Sequence, residues 1–318
     1  MRKALVIGIS GQDGAYLARH LLGLGHEVTG TSRAGAAPPA NIQRLGLAGR
    51  VKIMGLDPTD AEAVDRLVEQ VKPDDIYMLS ALTSVAQSFA DPAGAFAANA
   101  VATMAVLEAL RRRSGIRAFF AGSSECFGET EAPATCETPL RPGSPYATAK
   151  AFAFWQVRTY RQAYGLHAST GILFSHESPL RAPGFVTRKV VSAAVRIKAG
   201  SGETLRLGAL WPVRDWGWAP DYVEAMAAML GCGQPADAII ATGRSVSLEY
   251  VVERIFAELD LDWRDHVQSE AADDRPTNIR RSLADVSATC RDLGWRARTD
   301  VDGMVRLLIE CERTGGAG

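Results

Sequence analysis

A chain of 318 residues, 47% hydrophobic and 22% charged, has enough apolar material for a large core, arranged as one domain or as two unequal lobes. Its 35 basic and 36 acidic side chains leave a formal net charge of −1, which argues against a nucleic-acid binder working by bulk positive charge but leaves room for a local basic pocket. The five scattered cysteines (Cys126, Cys136, Cys232, Cys290 and Cys311) form neither a CxxC pair nor a His-rich cluster, so no disulfide framework or metal site is expected and a reducing cytoplasm fits.

Met1-Arg2-Lys3 leads straight into the apolar run Ala4–Ile9, which is too short for a signal-peptide core, and no apolar stretch is read as spanning a membrane. Ala4–Ile9 predicts a buried strand, Gln12–Leu24 a helix ending at Gly25, and His26–Thr31 a second strand. Ala34–Ala40, rich in Ala, Gly and Pro, predicts a loop. Val51–Met54 is a third strand, Ala61–Val71 a helix and Asp75–Leu79 a fourth strand. Ala93–Arg113 predicts one long helix, Arg117–Ala121 a fifth strand, Pro145–Tyr164 a helix and Ala168–Phe174 a sixth strand. Strands alternating with helices in this way specify the α/β class, with a Rossmann-type doubly wound parallel sheet. After about residue 175 the rhythm breaks. A helix at Phe185–Ala199 follows, then loops carrying three of the six tryptophans. Ala238–Ala241 predicts a strand returning to the main sheet, with the helix Leu248–Leu259 behind it. The division expected is a cofactor-binding domain over 1–175 and, over 176–318, mainly a small α/β lobe at the carboxyl edge of the sheet, where such sheets bind ligands.

Gly8, Gly11 and Gly14 have the spacing GxxGxxG between a strand and a helix. Without Cβ atoms the backbone can turn tightly and approach a pyrophosphate, while the helix start offers unpaired N–H donors to it. The end of the second strand reads Thr31-Ser32-Arg33. Hydroxyls and a guanidinium suit the 2′-phosphate of NADP, where a carboxylate would have selected NAD. Asp57 either contacts the adenine or serves as a turn residue.

Tyr146 and Lys150 are four residues apart on one helix face. There an ammonium can lower the phenol and bind a nicotinamide ribose, making the tyrosine a usable acid and base. Ser123, at the end of the fifth strand, can hydrogen-bond the same substrate oxygen. Glu125 adds a second acid/base group, which an elimination needs and a simple alcohol oxidation does not.

These motifs resemble extended short-chain dehydrogenases acting on nucleotide-sugars. The segments Leu173-Phe174-Ser175-His176-Glu177-Ser178-Pro179, Phe185-Val186-Thr187-Arg188-Lys189, Arg214-Asp215-Trp216-Gly217 and Ile240-Ala241-Thr242-Gly243 resemble GDP-mannose 4,6-dehydratases in particular. The resemblance implies a catalytic set of Ser123, Glu125, Tyr146 and Lys150. It implies NADP contacts from Gly8, Gly11, Gln12, Asp13, Gly14, Arg33, Asp57, Pro58, Leu79, Ala81, Tyr146, Lys150, His176 and Arg181. Thr83, Ser175, Glu177, Thr187, Arg188, Lys189, Arg214 and Arg275 are placed by it around a GDP-hexose. The implied assembly is a homodimer, or a tetramer built from it, with Ala93–Arg113 and Pro145–Tyr164 pairing across a two-fold axis. The chain departs from the resemblance at Leu82, which stands for a Gln, at Ser175 and Ala209, each for an Asn, and at Trp218, for a His. A 4-ketoreductase or epimerase of the same superfamily, and a non-catalytic NADP-binding regulator, are the alternative readings.

Overall fold

The computed structural model describes residues 1–269 and 279–318. Strands β1 (Lys3–Ile7), β2 (Glu27–Ser32), β3 (Lys52–Gly55), β4 (Asp75–Met78), β5 (Arg117–Ser123) and β6 (His167–Leu173) come first. Then β7 (Ser175–Glu177), β8 (Leu205–Leu207) and β9 (Val213–Trp218) leave the sheet, β10 (Asp237–Ile240) returns to it, and β11 (Ser245–Ser247) and β12 (Val267–Ser269) lie outside again. The main sheet runs β10-β6-β5-β4-β1-β2-β3, every neighbouring pair parallel. This is the doubly wound order with one strand added at its edge, and the returning strand sits where the sequence predicted it. Leu5, Val6 and Ile7 are buried in succession, without in/out alternation, because helices cover both faces of the sheet. One face is covered by the helices Gln12–Gly23 and Ala219–Gly231, the other by Ala61–Val71, Ala102–Arg111 and Pro145–Tyr164.

Local chemistry fixes the element ends. The Asp60 side chain accepts from Ala63 N to start the helix Ala61–Val71. Ser144 caps Pro145–Tyr164 in the same way, Pro145 occupies its first turn, and Gly165 ends it at φ +64°. At the amino edge of the sheet the fully buried Asp75 accepts from Arg117 at 2.7 and 2.9 Å and from Arg2 at 3.1 and 3.3 Å. That ion cluster ties β4 to β1 and β5 at the end opposite the glycine loop.

Two expectations need correction. The long helix begins at Pro92 and carries a π-turn at Ala97–Val101, where Asn99 donates its amide to Ala95 O at 2.8 Å and to Leu82 O at 3.1 Å. By length and apolar character Pro92–Arg111 could also cross a membrane, but 56% of its most apolar window is buried inside the fold, as in a core helix. The helix Leu248–Ala257 packs with Val186–Lys198 and Val301–Thr314 in the core of the second lobe rather than behind β10, where Ser287–Leu293 lies instead. The segment predicted as a loop is one up to Pro39, and a short helix, Ala40–Arg44, follows it.

Candidate active site

The glycine loop leaves β1 at the point where the strand order reverses, beside the end of β4. Its three glycines are required for different reasons. Gly8 has φ +97°, and a Cβ there would stand 2.6 Å from Ser80 N. A Cβ on Gly14 would stand 2.4 Å from Gly8 O, so its absence lets the helix lie against the loop. Gly11 is different: at φ −71° its added Cβ would meet only Gly8 O, at 3.7 Å. The space over the first turn of Gln12–Gly23 is therefore open, and the residues present fit the pyrophosphate of a dinucleotide.

Gln12 and Asp13 do not aim their side chains into that space. Gln12 donates to His176 O at 3.0 Å and accepts from Ser178 Oγ at 2.8 Å. Both Asp13 carboxylate oxygens lie 3.0 Å from His176 Nε2, while His176 Nδ1 donates to Phe174 O at 2.7 Å. Burial works to raise the Asp13 carboxyl, but the charge and hydrogen bond of His176, with Arg181 nearby, hold it below its ordinary value. Burial likewise opposes the His176 charge, and Asp13 outweighs it, so the ring is held above its ordinary value. The residues expected to touch the cofactor through Gln12, Asp13 and His176 thus form a buried seam between the sheet and the second lobe. Asn41, in the short helix Ala40–Arg44, adds to that seam by donating to Ser10 O at 3.0 Å and Leu180 O at 3.4 Å.

At the end of β2, Thr31 Oγ1 accepts from Gly8 N at 3.3 Å and Ser32 Oγ accepts from Ala34 N at 3.2 Å. Both hydroxyls accept from the backbone and keep their own O–H groups to donate, and Arg33 beside them is exposed. Asp57 has a turn role: its Oδ1 accepts from Thr59 N at 3.0 Å and from Thr59 Oγ1 at 2.8 Å. Those bonds hold its carboxyl below the ordinary range, with Arg33 adding to the effect. Pro58 is buried beside it, and Leu79 and Ala81 follow β4, Leu79 N donating to Ile7 O at 2.9 Å.

Ser123 ends β5, Glu125 lies in the 3-10 turn Ser124–Phe127, and Tyr146 and Lys150 occupy the first two turns of Pro145–Tyr164. Ser123 Oγ accepts from Glu125 N at 3.3 Å, which closes the turn and presents the carboxylate beside the serine. Tyr146 is 7% exposed and Lys150 6%. Burial drives the Tyr146 phenol upward; the Ser123 hydroxyl acts in the opposite sense and the charges of Cys126 and Glu125 reinforce the rise. Burial also brings the Lys150 ammonium down to about 8, with Cys126 and Asp13 opposing. Lys150 Nζ donates to Ala121 O at 2.8 Å, and burial is the largest influence on the Tyr146 phenol. These four groups can abstract and return protons in a site largely closed to solvent.

In the second lobe the structure disperses the expected basic cluster. Thr187 is fully buried and donates to Glu177 Oε2 at 2.6 Å, which Arg181 Nε approaches at 3.6 Å. Arg188 donates to Glu312 at 2.8 Å, joining Val186–Lys198 to Val301–Thr314. Lys189 Nζ donates to Arg206 O at 2.6 Å, and Arg214 holds Val213 O and Ile279 O, each at 2.9 Å. Thr187 and Arg188 thus tie elements of the lobe together. Ser175 pairs with Trp216 in the β7–β9 ladder, and Thr83 is exposed beyond β4. Arg275 lies outside the described residues. Sequence reasoning assigned no role to Asp215, which is fully buried and accepts from Thr242 N at 2.8 Å, Thr242 Oγ1 at 2.9 Å and Gly243 N at 2.8 Å. Burial raises its carboxyl to about 6, the three bonds opposing. A carboxylate set directly before the tryptophan and glycine positions of a buried strand was the available signal.

The sequence matches the model of the GDP-mannose 4,6 dehydratase family over residues 5–308. It is 40% identical to GDP-mannose 4,6 dehydratase 2 of Arabidopsis thaliana, across 96% of this chain and 86% of that protein. It is 39% identical to the GDP-mannose 4,6-dehydratase of Sinorhizobium fredii, across 96% and 95%. The fold superposes with a TM-score of 0.87 on a dTDP-glucose 4,6-dehydratase from Bacillus anthracis solved with NAD, at 18% identity and covering 99% of this chain and 97% of that one. The chain belongs to the GDP-mannose 4,6-dehydratase family.

Proposed function

We propose that the protein converts GDP-mannose to GDP-4-keto-6-deoxymannose with NADP. The observation that carries this reading is the family match along nearly the whole chain, with Ser123, Glu125, Tyr146 and Lys150 gathered at one edge of the sheet. When bound, the nicotinamide supplies hydride acceptance and return. Tyr146 takes the proton of the C4 hydroxyl as C4 is oxidised, with Ser123 hydrogen-bonded to the same oxygen. A ketone at C4 acidifies C5, and Glu125 removes that proton and delivers one to the C6 hydroxyl as it departs as water; the proton held by Tyr146 goes to C5 when hydride reaches C6. Lys150 holds the ribose and Arg33 the 2′-phosphate; Arg33 is what favours NADP over NAD.

The same reading includes a homodimer. Phe96, Phe152 and Trp155 are 41%, 48% and 53% exposed on the adjacent helices Pro92–Arg111 and Pro145–Tyr164, with Phe96 and Phe152 rings 5.4 Å apart. A cluster of that kind on a folded surface marks a protein contact.

Incubation with GDP-mannose and catalytic NADP, with no external reductant, tests the activity. A 4-keto-6-deoxy product without net NADPH supports it. NADPH consumption on a supplied 4-keto sugar, with no product from GDP-mannose, replaces it with the reductase reading.

A further inference from the structure

The turn that carries Glu125 is fixed by its surroundings one residue at a time. Cys126 O accepts from Arg141 N at 2.9 Å, and Phe127, 1% exposed, packs in an apolar cluster with Phe174 and Ala284. Gly128 N donates to Glu125 O at 3.2 Å, and Gly128 ends the turn at φ +66°, where a Cβ would stand 2.3 Å from Arg141 O. The next residue, Glu129, is exposed, yet its carboxylate is committed to backbone. Oε2 accepts from Arg280 N at 2.6 Å and Oε1 from Arg281 N at 2.9 Å.

The second lobe holds the same segment from its other side. Val213 N donates to Arg280 O at 2.7 Å and Ser282 N to Val213 O at 3.0 Å, which sets 280–282 beside β9. β9 in turn pairs with β7, and its Trp216 and Trp218 are buried in the core of the second lobe. Residues 280–282 therefore lie between the catalytic turn and the lobe, with Glu129 on one side and β9 on the other. Thr130 N donates to Arg281 O at 3.0 Å and Leu283 N to Thr130 Oγ1 at 2.8 Å, so the contact continues as one hydrogen-bonded strip.

Two charge-assisted bonds from successive amides fix a carboxylate in direction as well as distance. Tyr146 and Lys150 do not depend on them, since they stand on a helix capped by Ser144. Movement of the turn thus displaces Glu125 against a stationary tyrosine, and a misplacement of about 1 Å in a reacting group costs on the order of 10²-fold in rate.

We propose that Glu129 is a positioning residue for the elimination half of the reaction, holding the Glu125 turn in register with the second lobe through residues 280–282. This rests on the dehydratase reading and on the role given there to Glu125. Glu129 acts through the turn, so its loss misplaces the group that works at C5 and C6 and leaves the group at C4 where it was.

The experiment compares steady-state and single-turnover conversion of GDP-mannose by the NADP-loaded wild type, Glu129→Ala and Glu129→Gln, with GDP affinity, NADP affinity and Tm measured for each. Glu129→Ala lowers kcat by about 10- to 100-fold with both affinities unchanged, and its quenched turnover contains a 4-keto sugar that keeps its C6 oxygen. Glu129→Gln keeps one acceptor oxygen and recovers part of kcat. A wild-type kcat in Glu129→Ala overturns the inference. So does a loss in which C4 oxidation slows in step with elimination, the mark of a merely structural role. Absence of wild-type turnover removes the dehydratase reading, and this inference with it.

Discussion

His176 Nε2 stands 3.0 Å from both carboxylate oxygens of Asp13, joining the first helix of the sheet to the strand that leads into the second lobe. The ring is held from two further directions, by Phe174 O at 2.7 Å and by the Tyr222 ring stacked 4.5 Å away. An imidazole so fixed ties the glycine loop to the opposite wall of the cleft.

The pair has a pH signature. His176 is held above 6.5, so the stability its charge contributes is complete below that pH and is lost as pH rises through its raised value. Asp13 is held below 3.8, so its contribution is present above that pH and is lost as pH falls through its lowered value. His176→Asn should therefore lower Tm more at about pH 6 than at about pH 9. Thermal unfolding at both pH values checks this; an equal loss at each would mean that the charge contributes nothing.

The glycine loop separates a folding effect from a binding effect. Gly14→Ala places a Cβ 2.4 Å from a backbone oxygen, and Gly8→Ala adds a strained φ of +97° to a 2.6 Å contact, so both should lower Tm by several degrees. Gly11→Ala meets nothing closer than 3.7 Å and should keep the wild-type Tm while losing NADP affinity. Paired melting and cofactor titration distinguish the three.

The two catalytic carriers of protons should also separate. Tyr146→Phe removes the group acting at C4 and should reduce kcat by about 10²- to 10⁴-fold. Glu125→Gln leaves C4 oxidation possible and halts elimination. Rapid-quench analysis of a single turnover should then reveal a 4-keto sugar that keeps its C6 oxygen in the Glu125 variant and none in the Tyr146 variant.

The proposed dimer rests on the exposed Phe152 and Trp155. Replacing both by Asp should give a monomer by sedimentation velocity with the far-UV spectrum unchanged. A wild-type protein that sediments as a monomer contradicts the interface directly.

The parts of this molecule that are local in sequence were legible. Ser144-Pro145 and Gly165 bracket the catalytic helix because capping is decided within a few residues, and the parallel sheet followed from strands alternating with helices. The roles that depended on distant partners were not. Arg188 looked like a ligand for a diphosphate, but its partner Glu312 is 124 residues away. Asp13 and His176 are 163 residues apart, and no spacing rule connects them. The helix Leu248–Ala257 had a clear apolar face; which core that face joins is decided by packing with Val301–Thr314, beyond the reach of periodicity.

Hydride transfer within one sugar is the central claim, and an isotope traces it most directly. GDP-mannose carrying deuterium at C4 is incubated with the NADP-loaded protein, and the 4-keto product is read by NMR. Internal return of the hydride places deuterium at C6 of the 6-deoxy sugar, with no label in the reduced cofactor pool. Product with unlabelled C6, or label accumulating in the cofactor without a 6-deoxy product, would contradict it.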